Sequence, residues 1–510
     1  MEHINALQEQ DAVFPPLGLL TLAALTPAEF HVTLCDENAN ETVDYATDAE
    51  IVGITGYLIH DCHVFAMADR FRKRGKTVVL GGPIANLVPE LCRPHCDVLF
   101  EGEAEYTWKR FLGDWLRGTP ADHYVEHEKI HMPDSPMPQL DLLKRKYAHG
   151  IVQCTRGCPF TCEFCDIIVM YGRKMRYKPI AQVLAEIEAW HRHGAPQIFF
   201  ADDNFVGNRA YAKELLRAIV AWNSRQRRPP SYYTQASIDM VRDDELLCLL
   251  RDANFNSVFL GIESPRKASL AETKKTQNER IDLIGAIHKL QSYNLFIYAG
   301  MIVGFDQDDA SIFDEQYEFL QQAQIPIVMI NYLMAVPKTP LYNRLKAEGR
   351  LVRGSESDFQ DAGYIGTAGN TNFHPRLLTR QQLQRGQERL YKRLYAPDAF
   401  AARLLGNLSR FRNVHFRPEP LHLRNVRVLG RLIGQYWGLG PAARRFFWGC
   451  LWRALRTSPR LFGQVATLLG MYLHFCRVRA QELSWDPWRR AAAEPPEPGD
   501  PIPEAEPTVA

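Results

Sequence analysis

The sequence predicts an α/β protein in three parts: a parallel sheet, a partial parallel (β/α)6 barrel, and a mostly helical C-terminal region. Three observations carry this. Strand-like and helix-like stretches alternate through residues 1–125, which is the pattern of βαβ units. A strand-then-helix rhythm repeats six times over residues 148–345, as in a parallel barrel that works at the carboxyl ends of its strands. Residues 401–490 then carry 16 Lys plus Arg against 3 Asp plus Glu, with many aromatic residues.

The whole chain has 510 residues, 46% apolar and 23% charged, with a net charge of +1. That composition fits a folded soluble protein and excludes collagen, an acidic disordered chain or a disulfide-dense toxin. Near-neutral charge supplies no global attraction to nucleic acid. Eleven cysteines, an odd number with no framework spacing, and a start (Met1–Asn5) with no apolar core lead us to expect a reducing cytoplasm. No run of 18 apolar residues exists, so no spanning helix is expected.

In the first region, 1–125, candidate strands are His31–Cys35, Ile51–Thr55, Thr77–Gly81 and Asp97–Phe100, with a helix at Val64–Arg74 closed by Gly75. The strands run into small or acidic residues: Gly56, Gly81-Gly82-Pro83 and Glu101-Gly102-Glu103. Such loops lie at the carboxyl edge, where open α/β sheets bind ligands, and small residues let a bulky group approach the backbone. Gly-Gly-Pro also serves as a plain turn. Residues 126–147, with Pro133, Pro136 and Pro138, read as a linker.

Barrel strands are expected at Gly150–Gln153, Gln197–Asp202, Tyr232–Ile238, Asn256–Ile262, Phe296–Gly304 and Pro326–Met334, with a helix over Pro179–His193 stopped by Gly194. Residues 346–490 form the basic, helical region. The last stretch, 491–510, holds six prolines and five acidic residues and reads as a disordered tail.

Four cysteines crowd into twelve positions: Cys154, Cys158, Cys162 and Cys165. They follow the first barrel strand. Soft thiolates at CxxxCxxC spacing suit an iron–sulfur cluster or zinc. Structural zinc sites usually pair two CxxC-like knuckles, and only one, Cys162–Cys165, is present. Three ligands leave one iron of a four-iron cluster open. Cys154 is either a fourth ligand or a bystander on the strand end, and the bystander reading is favoured.

Cys158-Pro-Phe-Thr-Cys162-Glu-Phe-Cys165 is similar to the signature of radical S-adenosylmethionine (SAM) enzymes. Phe200-Ala-Asp202-Asp203-Asn204, Gly261-Ile262-Glu263-Ser264, Gly300-Met-Ile-Val-Gly304 and Val336-Pro337-Lys-Thr339-Pro340 resemble that family's strand-end segments, in order. Pro15-Pro16-Leu17-Gly18, Gly81-Gly82-Pro83 and Glu101-Gly102-Glu103 resemble the Rossmann-like cobalamin-binding domain of class B radical SAM methyltransferases. The run after Cys165 and the aromatic basic C-terminal region look most like the subgroup that includes hopanoid C-2 methylases. That domain usually opens with an apolar strand. Here polar residues precede Pro15, so either the sheet lacks a strand or the segment lies upstream.

The resemblance implies the following. Cys158, Cys162 and Cys165 hold a [4Fe–4S] cluster, SAM binds its open iron, and cobalamin delivers the methyl group. Phe164 lies beside the adenine. Asp202, Asp203, Gln235 and Glu263 contact SAM, and Gly304 brings backbone to the adenine. An acidic residue in such a loop can equally be a helix cap. Leu17, Gly18, Gly56, Tyr57, Leu58, His60, Gly81, Gly82, Pro83, Glu101, Gly102 and Glu103 face cobalamin, with His60 either ligating cobalt or capping locally. Arg156 pairs with the SAM carboxylate or with loop carbonyls.

The expected reaction is C-methylation of an unactivated carbon in a hydrophobic or lipid substrate, such as a hopanoid. It needs an external flavodoxin- or ferredoxin-like electron donor, and no nucleic acid partner is expected. Alternatives are ring formation or rearrangement with the same cofactors, and a non-catalytic cobalamin or Fe–S sensor. Leu461–Phe475 is too short to span a bilayer and reads as a core helix. The sharper alternative is that the Arg-rich aromatic helices of 401–490 touch the inner membrane surface peripherally.

Overall fold

In a computed structural model, residues 10–352, 370–412, 414, 423–483 and 485–488 are described. The first sheet is parallel and contains β1 (Ile51–Thr55), β2 (Thr77–Gly81), β3 (Val98–Glu101) and β4 (His123–Val125), in that spatial order. Central β2 buries Val78, Val79 and Leu80 in succession, because both faces of a parallel sheet are covered. One face packs Ile54, Val64, Phe71, Leu80 and Leu99; the other packs Val79, Phe100, Phe111 and Tyr124.

Two strand expectations change. His31–Cys35 pairs with nothing in a sheet: its residues alternate between exposed and half-buried, and Asp36 diverts the chain by capping the Glu37–Ala39 turn. The three-residue β4, too short to announce itself in sequence, is the fourth strand instead. The expected helix starts earlier, at Asp61–Arg72, and Gly75 follows it with φ +74°.

The second sheet contains β5 (Gly150–Val152), β8 (Gln197–Phe200), β9 (Ser231–Ala236), β10 (Phe255–Glu263), β11 (Phe296–Val303) and β12 (Ile327–Tyr332). All pair in parallel and in chain order, with β5 and β12 at the edges. All six expected barrel strands are present; most end one or two residues early where a loop begins, while β10 extends one residue beyond the expectation at each end. A short antiparallel pair, β6 (Thr155–Arg156) with β7 (Arg176–Tyr177), stands beyond β5.

Residues alternate along these strands. Ile198, Phe200, Tyr232, Val258 and Leu260 are buried against the surrounding helices. Their neighbours Ile151, Phe199, Tyr233, Gln235, Phe259, Tyr298, Met329 and Asn331 stay half-buried. Register places these side by side: Ile151–Phe199–Tyr233, then Gln235–Phe259–Tyr298. They line the inner face of an open barrel whose interior is accessible, unlike a lumen filled by layers of side chains.

Residues 126–147 lack sheet strands but pack closely. Gln139 donates from its amide to Leu20, and Ala148 to Ala12, which lays residues 10–16 along the β5 edge. The C-terminal helices are Arg380–Leu394, Pro397–Arg410, Leu423–Gly438, Pro441–Thr457 and Phe462–Leu483. Their buried residues continue the barrel's hydrophobic cluster without a break. A Cβ added at Gly386 would collide with the ring of Phe313, so that glycine lets the Arg380–Leu394 helix approach the Ile312–Ala323 helix. The Phe462–Leu483 helix buries Val465, Leu468, Leu469, Tyr472 and Leu473, as a core helix does. The expected tail at 491–510 lies outside the described residues.

Two predictions follow from this packing. Gly386→Leu should lower unfolding stability by about 2 kcal/mol through overpacking, read from urea melts. His149, beside Phe14 and Tyr233, is pulled down to about 4 by burial. Its proton is therefore held more weakly in the folded than in the unfolded chain, whose histidine titrates near 6.5. Stability should rise with pH between those values, and His149→Phe should flatten that limb of a pH–stability curve.

Candidate active site

The three-cysteine loop begins just past β6. Gly157 takes φ +93°, and a Cβ there would press on the carbonyls of Lys174 and Gly172, so the chain can turn only with glycine at this point. Cys158 and Cys165 are half-buried and Cys162 is buried. The amide of Cys165 donates to the Cys162 carbonyl at 3.2 Å, folding the CxxC segment into a turn. Burial pushes the Cys158 thiol up, and the Cys165 thiol up to about 12. Cations that bind thiolates would reverse this. Among the described residues no three acidic, histidine or cysteine groups close around a single ion. A four-iron cubane holds its sulfurs further apart than one ion does, and three soft thiols on one turning loop suit it.

The loop is clamped in its middle and at its start. Glu163, buried between the second and third cysteines, accepts from Arg344 Nε at 2.8 Å on the Pro340–Ala347 helix. The Leu341 amide donates to the Glu163 carbonyl, and the Glu163 amide donates to Thr273. At its start, Arg156 donates from Nε to Gln153 at 2.8 Å, from Nη1 to Glu103 at 2.7 Å, and pairs through Nη2 with Glu105 at 2.7 Å. Arg176 Nη1 reaches Glu103 Oε2 at 2.8 Å. Both glutamates lie at the carboxyl edge of β3, so this buried network ties the first sheet to the cysteine loop. A second tie lies at the far side, where Lys338 Nζ donates to the Asn86 carbonyl at 2.6 Å and stands 3.6 Å from Glu101.

Several candidate residues converge on the loop. Phe164 is half-buried and meets Phe305 edge-on, with centroids 6.4 Å apart. Glu263 adopts φ +66° and accepts from Lys275 Nζ at 2.7 Å; that ammonium also sits 5.8 Å above the Phe164 ring. Burial opposes the Lys275 charge, yet Glu263 and the neighbouring Cys162 outweigh it and raise its pKa. A Cβ on Gly261 would press on the Glu263 carboxylate, which would have to shift away from its present place beside Lys275. Gln277 Nε2 lies 3.5 Å from Cys162 Sγ. Asp203 accepts from the Gly157 amide at 2.7 Å, and burial raises its carboxyl to about 7. Gln235 faces the lumen from β9. Gly304 takes φ +105°, and Asp308 accepts from its amide at 2.9 Å.

Contacts correct the expectations for Asp202, Glu103, Arg156 and Leu58. Asp202 is fully enclosed: Oδ1 accepts from the Cys154 and Thr155 amides at 2.8 and 2.7 Å, and Oδ2 from the Cys154 thiol at 2.7 Å. It holds the strand end and presents no free oxygen to a ligand, and Cys154 is engaged there as a thiol. Glu103 is spent on Arg156 and Arg176. Arg156 pairs with glutamates of the chain itself. Leu58 packs into the core with Ile54 and Val64. His60 takes the expected capping alternative: its Nδ1 accepts from the Tyr57 amide at 3.2 Å.

The other first-sheet candidates line the carboxyl edge that these ties hold against the barrel mouth. Tyr57 is 57% exposed. Leu17 and Gly18 open the Leu17–Leu25 helix, and a Cβ on Gly18 would meet nothing within 4 Å. Gly82, at φ +82°, tucks under Thr55, where a Cβ would collide with its hydroxyl. Gly56, Gly81, Pro83, Glu101 and Gly102 complete the edge, and Glu101 pairs with His123 at 2.8 Å. Small residues and a broad, accessible rim fit a large planar cofactor.

Comparison with known proteins bears on this geometry. The Radical SAM superfamily model matches residues 152–319, and a domain of unknown function (DUF4070) matches residues 339–484. An uncharacterized methyltransferase of Synechocystis sp. is 33% identical over 94% of this chain and 89% of its own. The chain belongs to the radical SAM methyltransferases. A further member of this family, the hopanoid C-2 methylase of Rhodopseudomonas palustris, is 33% identical over 70% of each chain. In fold, the methyltransferase is similar to the cobalamin-dependent SAM radical enzyme OxsB, solved with aqua-cobalamin and SAM. The TM-score is 0.59 at 15% identity, over 93% of this chain and 79% of that one.

The buried network sets a test for the methyltransferase. Glu103→Gln leaves two guanidiniums under-compensated and should cost about 3 kcal/mol. Glu101→Gln, at a more accessible pair, should cost under about 1 kcal/mol. Denaturant midpoints of the two variants compare them directly.

Proposed function

We propose that this methyltransferase is cobalamin-dependent and adds a methyl group to an unactivated carbon of a hydrophobic substrate, with a hopanoid methylated at C-2 as the favoured case. The observation that carries the reading is the facing of two edges. The loop of Cys158, Cys162 and Cys165 is tied through Arg156 to the glycine-rich rim of the first sheet. When bound, a [4Fe–4S] cluster, SAM and cobalamin supply reducing power, a hydrogen-abstracting radical and a transferable methyl group.

The chain's own residues bind and orient these groups. Cys158, Cys162 and Cys165 hold the cluster, and Lys275 and Gln277 steady the Cys162 side of the loop. Phe164, Asp203, Gln235, Glu263 and Gly304 surround SAM. Leu17, Gly18, Gly56, Tyr57, Gly81, Gly82, Pro83, Glu101 and Gly102 form the cobalamin face. The lumen lined by Phe199, Tyr233, Phe259, Tyr298 and Met329 is apolar and aromatic enough to hold a polycyclic hydrocarbon and to keep water from a radical centre. Methyl transfer, rather than ring formation, is favoured because relatives aligned over most of the chain carry methyltransferase names. Electrons come from a flavodoxin- or ferredoxin-like donor. Among the described residues no helix is long and apolar enough to cross a membrane, and the 401–490 region meets the inner membrane surface peripherally.

Two measurements test this. After anaerobic reconstitution with iron, sulfide and hydroxocobalamin, Cys158→Ala, Cys162→Ala and Cys165→Ala should each lower bound iron and abolish 5′-deoxyadenosine formation. Cys154→Ala should retain both. In a hopanoid-producing host, the gene should add a mass of about 14 daltons, one CH₂ unit, to hopanoids; unchanged lipids would contradict the substrate assignment.

A further inference from the structure

The C-terminal region contains two surfaces of opposite character. The apolar Phe462–Leu483 helix is used up in the core, as its buried leucines show. The two helices before it are different. Trp437 is 52% exposed, Trp448 46% and Trp452 58%, and Val426, Leu439 and Leu455 are exposed beside them. On the Pro441–Thr457 helix, positions 448, 452 and 455 form one stripe, offset from the buried positions 443, 447, 450, 451 and 454. On the Leu423–Gly438 helix, Val426, Gly430, Gly434 and Trp437 form another. A Cβ on Gly430, Gly434, Gly438 or Gly449 would meet nothing within 4 Å, so these stripes face open space.

Arginines frame this apolar face. Residues 423–461 hold eight arginines and no acidic residue. The Arg444 guanidinium lies 4.4 Å from the Trp437 ring centroid and that of Arg456 lies 5.2 Å from Trp452. An exposed helix facing water alone would mix both signs of charge. A second copy of this face would meet it with like charge. Indole rings favour the membrane–water interface, and guanidinium groups bind phosphate oxygens in pairs. Apolar side chains and glycines between the tryptophans suit acyl chains better than a stacked nucleic-acid strand.

The structure assigns the exposed face of Trp437, Trp448 and Trp452, flanked by the exposed Arg445 and Arg453, as a docking surface for an anionic lipid bilayer. This deepens the proposed peripheral contact: within 401–490 it narrows the contact to the two helices before the buried Phe462–Leu483 helix. It rests on the proposed lipid substrate for its purpose, while binding itself is measured without substrate.

The experiment uses the full chain and flotation with phosphatidylcholine vesicles, with and without about one third phosphatidylglycerol. Binding should require the anionic lipid and weaken with salt. Trp448→Ser/Trp452→Ser and Arg445→Ser/Arg453→Ser should each reduce the bound fraction about tenfold. Both pairs should leave SAM cleavage in vesicle-free buffer unchanged. Equal recovery with both vesicle types, unaltered binding by both variant pairs, or preference for a single-stranded RNA oligonucleotide would overturn the assignment. SAM cleavage by the unaltered chain reports separately on the enzymatic reading.

Discussion

Arg156 is the residue on which the geometry turns. Its guanidinium sits between Gln153 on the barrel side and Glu103 and Glu105 on the first sheet. Burying such charges is costly, and the cost is offset only when every donor finds an acceptor in good geometry. Here most donors are supplied: Arg176 shares Glu103 and the Ile130 amide donates to the same carboxylate, while Arg176 Nε is buried without a hydrogen-bond partner among the described residues. A network of this kind tolerates few arrangements. It fixes the cysteine loop relative to the rim of the first sheet, and so fixes how two large cofactors would face each other. Charge on Glu103 serves that architecture instead of a ligand.

The same logic runs through the rest of the mouth. Glu163 and Arg344 hold the middle of the cysteine loop against the segment after β12, and Lys338 ties that segment back to the first sheet. Asp202 and Asp308 are spent on backbone amides, where they set the shapes of the loops after β5 and β11. Polar groups close to the cysteines are therefore mostly structural. Asp203, which accepts from the Gly157 amide, and the largely buried Lys275–Glu263 pair beside Cys162 stand next to the cysteine loop, with Gln235 on the lumen face of β9. Below them the lumen is aromatic and half-open, which matches a substrate with a large apolar surface and few hydrogen-bonding groups.

Much of this was legible in the sequence. The six barrel strands were visible because a strand covered by helices is rich in apolar residues and ends in a distinctive loop. The cysteine spacing and the strand-end glycines were equally plain, because each glycine meets a local steric demand. His31–Cys35 misled because alternation shows that a strand is possible but not that a partner is beside it. Asp202, Glu103 and Leu58 misled because a sequence shows a side chain near a site without showing which way it is engaged. Lys275, Glu163 and Arg344 were missed. Their partners are distant in the chain or lie across an irregular turn, and no spacing rule links them. The closest signal for Lys275 was a polar Lys-Lys run shortly after the Glu263 segment.

The central claim is that the cysteine loop and the rim of the first sheet share one chamber, held by the Arg156 network. The most direct measurement is electron paramagnetic resonance of the anaerobic holoprotein carrying both a reduced cluster and cob(II)alamin. If the two edges face each other, the cobalt signal should relax faster and broaden when the cluster is reduced. That change should vanish in a variant lacking Cys158, Cys162 and Cys165. A cobalt signal that is identical with and without the reduced cluster would contradict the account.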